Sequence, residues 1–250
     1  MNRTLCLDFG NTRRKAALFI GDQFQQEWIL PDETPETIQH LIDTAKPDKS
    51  ILSSVINHLP TTPELLQQQS QFHLLSHHTQ VNFHSPVGKP ETIGADRLAL
   101  VAAAVHFFPG MNNLVISLGS CITYNFVNQE GAFLGGAISP GMQMRYQAMH
   151  DFTAMLPLVP YDEVAMRGNF PVIGYDTKTN LQSGVIAGMA YEMDGFIDYY
   201  RSRFGNFNAV LTGGNTPHFA RRLKNKIFAD PEWLYKGLYA ISEINNCNHE

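Results

Sequence analysis

Short apolar runs alternate along the chain with stretches whose apolar residues recur every three or four positions, a pattern that predicts strands interleaved with helices. Thr4 to Leu7 read as a strand, DFGNT (Asp8 to Thr12) as a turn, and Lys15 to Ile20 as a returning strand closed by Gly21-Asp22. The chain therefore opens on a β-hairpin with a glycine-containing bend. Thr34 can cap a helix that has Pro35 at its first position and Ile38, Leu41, Ile42 and Ala45 on one face. A strand at Ser50 to Ile56, a short helix at Pro63 to Gln69, a strand at Phe72 to Leu75 and an alanine-rich helix at Ala95 to Phe108 follow.

The pattern then restarts. Asn113 to Leu118 form an apolar strand, Gly119-Ser120 bend it, Ile122 to Val127 return, and Asn128 to Gly131 supply a turn. LCLDFGNTRRKAALFIGDQ and LVISLGSCITYNFVNQEG share the order strand, x-Gly-polar bend, strand, turn, which points to a duplicated unit, with chance likeness of two short segments as the alternative. Beyond it, Gly135-Gly136 and Ser139-Pro140-Gly141 read as a loop leading into a helix. A long helix from about Thr177 to Phe204 turns Leu181, Val185, Met189, Met193, Phe196 and Tyr200 inward, and Gly184 and Gly188 within it read as close backbone packing against a neighbour. A strand at Ala209 to Thr212 runs into Gly213-Gly214, and two helical segments finish the chain. The alternation places the chain in the α/β class, with a tight hinge near Gly110 to Asn112 dividing it into domains at 1–112 and 113–250.

Length and composition agree with that plan: 250 residues, 44% of them apolar, suffice for one large α/β domain or two small ones sharing a cleft. A net charge of −5 leaves no basic field for a nucleic-acid backbone, so DNA and RNA are not expected as partners. Cys6, Cys121 and Cys247 are widely spaced and show no zinc pattern, which fits reduced thiols in a cytoplasmic protein. Arg3 precedes a very short apolar run that already contains Asp8, so no signal peptide is expected, and no stretch of roughly 18 apolar residues predicts a membrane span.

Candidate chemistry gathers at three glycine-containing turns. A strand ending in Asp8 and bending through Gly10, Asn11 and Thr12 offers backbone N–H groups to an anion, Lys15 adds a positive charge, and Asp8 could hold Mg²⁺ through water. A plain hairpin turn would use the same residues. GADR, Gly94 to Arg97, opens a helix: Asp96 lies among free N–H groups of the first turn, where it could equally balance the helix dipole, and Arg97 offers a planar fork to a carboxylate. Thr212-Gly213-Gly214 follows an apolar strand, where a nucleotide base could lie on bare backbone or the chain could simply turn. His73 and His77 sit on a strand and loop that would not converge them on a metal, Cys121 has no identifiable base and reads as a small buried residue, and Met142, Met144 and Met149 read as core or subunit contacts.

The order DFGNT, GADR, SLGSCIT, FLGGAISPGM and TGG resembles the type III pantothenate kinases of the actin-like, acetate and sugar kinase superfamily. The likeness runs from Asp8 to the last helix and includes Ser53 to Val55 and the Asp176-Thr177 pair. It implies two similar ribonuclease H-like domains flanking a nucleotide cleft, a homodimer, and an ATP- and Mg²⁺-dependent kinase for pantothenate. Asp8, Gly10, Asn11, Thr12 and Lys15 would then bind the ATP phosphates, with Ser120, Gly213 and Gly214 also at the nucleotide. Gly94, Ala95, Asp96, Arg97 and Thr177 would bind pantothenate, and Asp96 would be the catalytic base. Relatives usually carry an acid at Ser117, associated with a bound K⁺ or NH₄⁺, another acid at Asn125, and an aromatic at Val87, so the monovalent-cation site and one pocket wall should differ here. A nucleotide-binding regulatory protein without turnover and a kinase for another hydroxyl, such as a sugar, are the alternatives.

Overall fold

The computed structural model describes residues 1–160 and 172–245, and Cys247 lies outside them. The chain divides into two compact units. The first holds Met1–Gly110, Val127–Leu134 and the segment from Glu232 onward; the second holds Met111–Phe126 and Gly135–Pro231.

The first unit is built on a five-stranded sheet of order β3-β2-β1-β4-β5. Its strands are β1 (Arg3–Phe9), β2 (Arg14–Ile20), β3 (Gln23–Leu30), β4 (Lys49–Ser54) and β5 (Gln71–Leu74). β1 runs antiparallel to β2 and parallel to β4. One face carries Leu5, Leu7, Phe9, Ala16, Leu18 and Leu30, which pack with Ile38, Leu41, Ile42 and Ala45 of α1 (Pro35–Ala45). That helix starts as the sequence predicts, with the Thr34 side chain accepting from the Thr37 N–H, and ends where Lys46 turns left-handed. α2 (Thr61–Gln69) adds Leu66 to the same core.

Alternation sends the intervening residues, Cys6 and Asp8 among them, to the opposite face. The last helix, Trp233–Asn245, packs there against β1 and β4 and against α3 (Ala95–Phe107). Phe19 stacks on Tyr239 at 4.9 Å. The two helices touch backbone to backbone: a Cβ on Gly237 would lie 1.9 Å from the Ala99 carbonyl oxygen. Nearby, Trp233 Nε1 donates to the Leu100 carbonyl at 3.1 Å.

The second unit repeats the plan. Its strands are β6 (Asn113–Leu118), β7 (Cys121–Val127), β8 (Phe133–Pro140), β9 (Asn208–Thr212) and β10 (Phe228–Ala229), in the order β8-β7-β6-β9-β10. Third, second, first, fourth, fifth is also the order of the first sheet, and the first–fourth and fourth–fifth pairs are parallel in both. The likeness of the two hairpins thus extends to whole sheets, and the α/β duplication read from the sequence is the observed fold. The tip of the β7–β8 hairpin, from Val127, groups with the first unit. α4 (Met142–Asp151) and α5 (Thr177–Phe204) supply Met142, Tyr146, Leu181, Val185, Met189 and Met193 to the core. A single turn of helix, α6 (Thr216–Phe219), adds Phe219, and the helix Trp233–Asn245 is α7.

Several expectations are corrected. The stretch Gly135-Gly136 to Pro140 is edge strand β8, not a loop: Gly136 lies where a Cβ would meet the Tyr124 carbonyl oxygen at 1.8 Å, and Pro140, which lacks an N–H, closes the strand. Gly184 and Gly188 face open space rather than a packed neighbour. Cys121 is half-buried rather than buried; Met142 is buried and Met149 packs on the core, as read, and Met144 is exposed, which leaves it the subunit-contact alternative.

Candidate active site

Asp8 stands near the end of β1, opposite Lys15 on β2 and Ser53 on β4. Its side chain is half-buried on the face that carries α3. Burial first, and the neighbouring Asp96 second, push its carboxyl up to about 7, while Lys15 and Ser53 pull the other way. The turn that follows closes on itself, Gly10 N–H donating to the Arg13 carbonyl at 3.0 Å, with Asn11 and Thr12 exposed at its tip. Gly10 is not left-handed, and a Cβ there would stand 3.4 Å from the Arg13 oxygen, so backbone strain does not account for the glycine.

Asp96 lies in the first turn of α3, where the N-cap is Gly94 and supplies no side-chain bond. Burial raises the Asp96 carboxyl above its ordinary value, and the backbone N–H groups of Arg97 and Asp96 offset part of that rise. Gly94 has φ −58°, open to any residue, yet a Cβ would fall 2.5 Å from Asp96 Oδ1. The glycine makes room for the carboxylate of its neighbour. Ala95 is buried, and the Arg97 guanidinium lies 5.6 Å from the centre of the Phe133 ring, a cation–π arrangement that orients it. The structure therefore brings Asp8, Lys15 and Gly94 to Arg97 into one unit, with two carboxylates close enough to repel.

Lys15 is not a lone cation. Its Nζ donates to Glu27 Oε1 at 3.0 Å, and the Tyr235 hydroxyl of α7 donates to the same oxygen at 2.7 Å. The sequence shows no signal for this trio: Glu27 sits on a largely exposed strand without apolar alternation, and Tyr235 is 208 positions away.

In the second unit three turns converge at the end of β6. Gly141 N–H donates to the Ser120 carbonyl at 3.0 Å, and a Cβ on Gly141 would come 2.5 Å from the carbonyl oxygens of both Gly119 and Ser120. Gly213 adopts φ +93°, where a Cβ would meet the Leu118 oxygen at 2.6 Å, and Gly214 beside it faces open space. Ser120, Gly213 and Gly214 thus lie at turns around the end of β6, the two glycines presenting bare backbone. Thr177 is the exposed first residue of α5, whose cap is Asp176 bonded to the Thr179 N–H at 2.7 Å. Ser117 is half-buried opposite Thr212, and the amide of fully buried Asn125 donates to the Val115 carbonyl at 3.2 Å and to Thr123 Oγ1 at 3.1 Å. Val87 is half-buried. Also unforeseen is a network in which Glu192 accepts from Tyr124 at 2.9 Å, from Ser139 and from Arg145.

Comparison with known proteins identifies the family. The family model described as type III pantothenate kinase matches residues 4–199. The type III pantothenate kinase of Flavobacterium johnsoniae is 38% identical over 236 residues, covering 94% of this chain and 95% of the relative. A solved structure described as a Baf family transcriptional activator from Campylobacter jejuni superposes with TM-score 0.60 at 19% identity, covering 97% of this chain and 98% of that one. A ROK family glucokinase from Streptomyces griseus, in complex with glucose and AMPPNP, gives TM-score 0.50 at 11% identity over 98% and 99% of the two chains. These structures share the sugar-kinase, actin-like fold. Matched over most of its length by model and relative alike, the chain belongs to the type III pantothenate kinase family.

Proposed function

We propose that this protein transfers the γ-phosphate of ATP to the hydroxyl of pantothenate, giving 4′-phosphopantothenate in the first step of coenzyme A biosynthesis. Family membership supports the reaction; the observation that carries it to residues is the Asp8–Asp96 pair, two carboxylates raised by burial, one at a phosphate-type turn and one at a helix start. Asp96 accepts the hydroxyl proton as the oxygen attacks, and its raised affinity for protons suits that task. Phosphoryl transfer has a loose transition state, so the remaining residues mainly position and neutralise. Gly10, Asn11, Thr12 and Lys15 hold phosphates; Ser120, Gly213 and Gly214 hold the rest of the nucleotide; Gly94, Ala95, Arg97 and Thr177 hold pantothenate, whose carboxylate suits the Arg97 fork.

The donor set fits Mg²⁺: Asp8 carries an acidic oxygen whose charge is costly without a cation, and Lys15 is already shared with Glu27. When bound, that ion would neutralise phosphate charge. The set around Ser117 does not fit a tightly held K⁺, because Ser117 brings no charge and the Asn125 amide is spent inside the sheet. We further propose a cytoplasmic homodimer, with the repeat halves at 1–112 and 113–250. Among the described residues no helix is long and apolar enough to cross a membrane. Incubating the protein with ATP labelled at the γ-phosphate and pantothenate tests the reaction: label should appear in 4′-phosphopantothenate, and label found only in inorganic phosphate would refute it.

A further inference from the structure

The strand register sets Lys15 between two acids on one face of the first sheet. Asp8 is its direct partner across β1–β2. On the other side Lys15 opposes Ile29 and Ala17 opposes Glu27, so Glu27 is the same-face diagonal neighbour of Lys15, within reach of a long side chain. The ammonium takes the Glu27 contact at 3.0 Å rather than collapsing onto Asp8. Glu27 is in turn fixed from above: the Tyr235 hydroxyl donates to the same oxygen, and Tyr235 is 3% exposed on a helix locked to α3 at Gly237 and Trp233.

Burial works to raise the Glu27 carboxyl, but the hydrogen bonds from Tyr235 and Lys15, with the charges of Lys15 and Arg13, outweigh it and hold the group below its ordinary range. Burial and the Glu27 charge both push the Tyr235 phenol up, so it stays protonated and remains a donor. An ammonium has three donors, and Glu27 takes one. The lysine is held in one place with donors to spare, at a turn whose own Gly10 N–H is already spent on Arg13.

We propose that Glu27 and Tyr235 are positioning residues for nucleotide binding, holding the Lys15 ammonium at a fixed point beside Asp8 for a phosphate oxygen and acting on ATP only through Lys15. The proposal rests on the reading of the Asp8 to Lys15 turn as the phosphate site. A carboxylate that pins a phosphate-binding lysine has a physical parallel in the lysine–glutamate pair of protein kinases, where both members must be in place. Here a second clamp, the tyrosine, arrives from the far end of the chain.

The test is a double-mutant cycle read in binding rather than turnover. Dissociation constants for Mg·ATP and for pantothenate are measured by titration calorimetry on the full chain, its Glu27→Gln and Lys15→Met variants, and the double variant. Glu27→Gln should weaken Mg·ATP about fivefold in the parent and less than about twofold in the Lys15→Met background, with pantothenate binding unchanged within about twofold. Tyr235→Phe, which removes one oxygen and keeps the ring, should show the same dependence on Lys15 with a smaller effect, and it carries the cycle if Glu27→Gln fails to fold. Equal weakening in both backgrounds, or tighter Mg·ATP binding in Glu27→Gln, would overturn the proposal, as would failure of the parent to bind Mg·ATP. A parent that binds Mg·ATP with the expected coupling yet does not phosphorylate pantothenate would refute the proposed reaction and leave the positioning role standing.

Discussion

Gly94 is a glycine for the sake of Asp96. A methyl group there would press on Oδ1, so Gly94→Ala should displace the carboxylate and lower turnover by about tenfold or more, with little change in melting temperature. Removing the base itself, Asp96→Asn, should cost about 10² to 10⁴ in rate while the fold survives. Near wild-type rates in either variant would remove Asp96 from the proton transfer. Asp8 makes a separate prediction. Its folded value, about 7, lies above the ordinary 3.8, so the stability linked to its proton is present at low pH and lost as pH rises through about 7. Without metal or nucleotide, Asp8→Asn should therefore melt higher than the parent at about pH 8 and lose that advantage near pH 4, while activity disappears. A variant that melts lower at the higher pH would contradict the raised carboxyl. Asp8, Lys15 and Asp96 were legible because each sits at a recognisable turn or helix start. Glu27 and Tyr235 were not, because a pair 208 positions apart leaves no local pattern.

At the scale of elements, what was legible followed burial. α1 and β6 carry clean signals, a Thr-Pro cap with an apolar stripe and an unbroken apolar run, and both appear where expected. β3 and β8 were missed because edge strands expose much of their length, so QFQQEWIL shows little alternation and the glycines of FLGGAISP read as loop. Glycines within helices were read by their type, whereas only packing tells their roles apart. In α7 a Cβ on Gly237 would strike the Ala99 carbonyl, so Gly237→Ala should destabilise by about 1–3 kcal/mol despite the better helix propensity of alanine. In α5 a Cβ on Gly184 meets nothing, and Gly184→Ala should stabilise by about 0.5–1 kcal/mol. Chemical denaturation of the two variants checks both signs; a stabilised Gly237→Ala would mean that α3 and α7 are not in backbone contact.

For the whole molecule, the likeness of two hairpins pointed to a duplicated unit, and the structure extends it to two sheets of one strand order, which the sequence did not show because the edge strands β3 and β8 carry little signal. The return of α7 to the first unit could not be read, since nothing in its own sequence names the helix it packs against. The departures at Ser117 and Asn125 give a prediction at this scale: replacing K⁺ by a bulky organic cation at constant ionic strength should change the rate by less than about twofold, and Ser117→Asp should introduce activation by K⁺. A many-fold loss in the unmodified protein would show that a cation is held without those acids. The central claim, an active kinase selective for pantothenate, is tested most directly by coupled detection of ADP release, with Mg·ATP present and pantothenate or a panel of sugars as acceptor. Sustained ADP release is expected with pantothenate alone, abolished by Asp96→Asn. Release that is equal without an acceptor, or that follows a sugar instead, would contradict it.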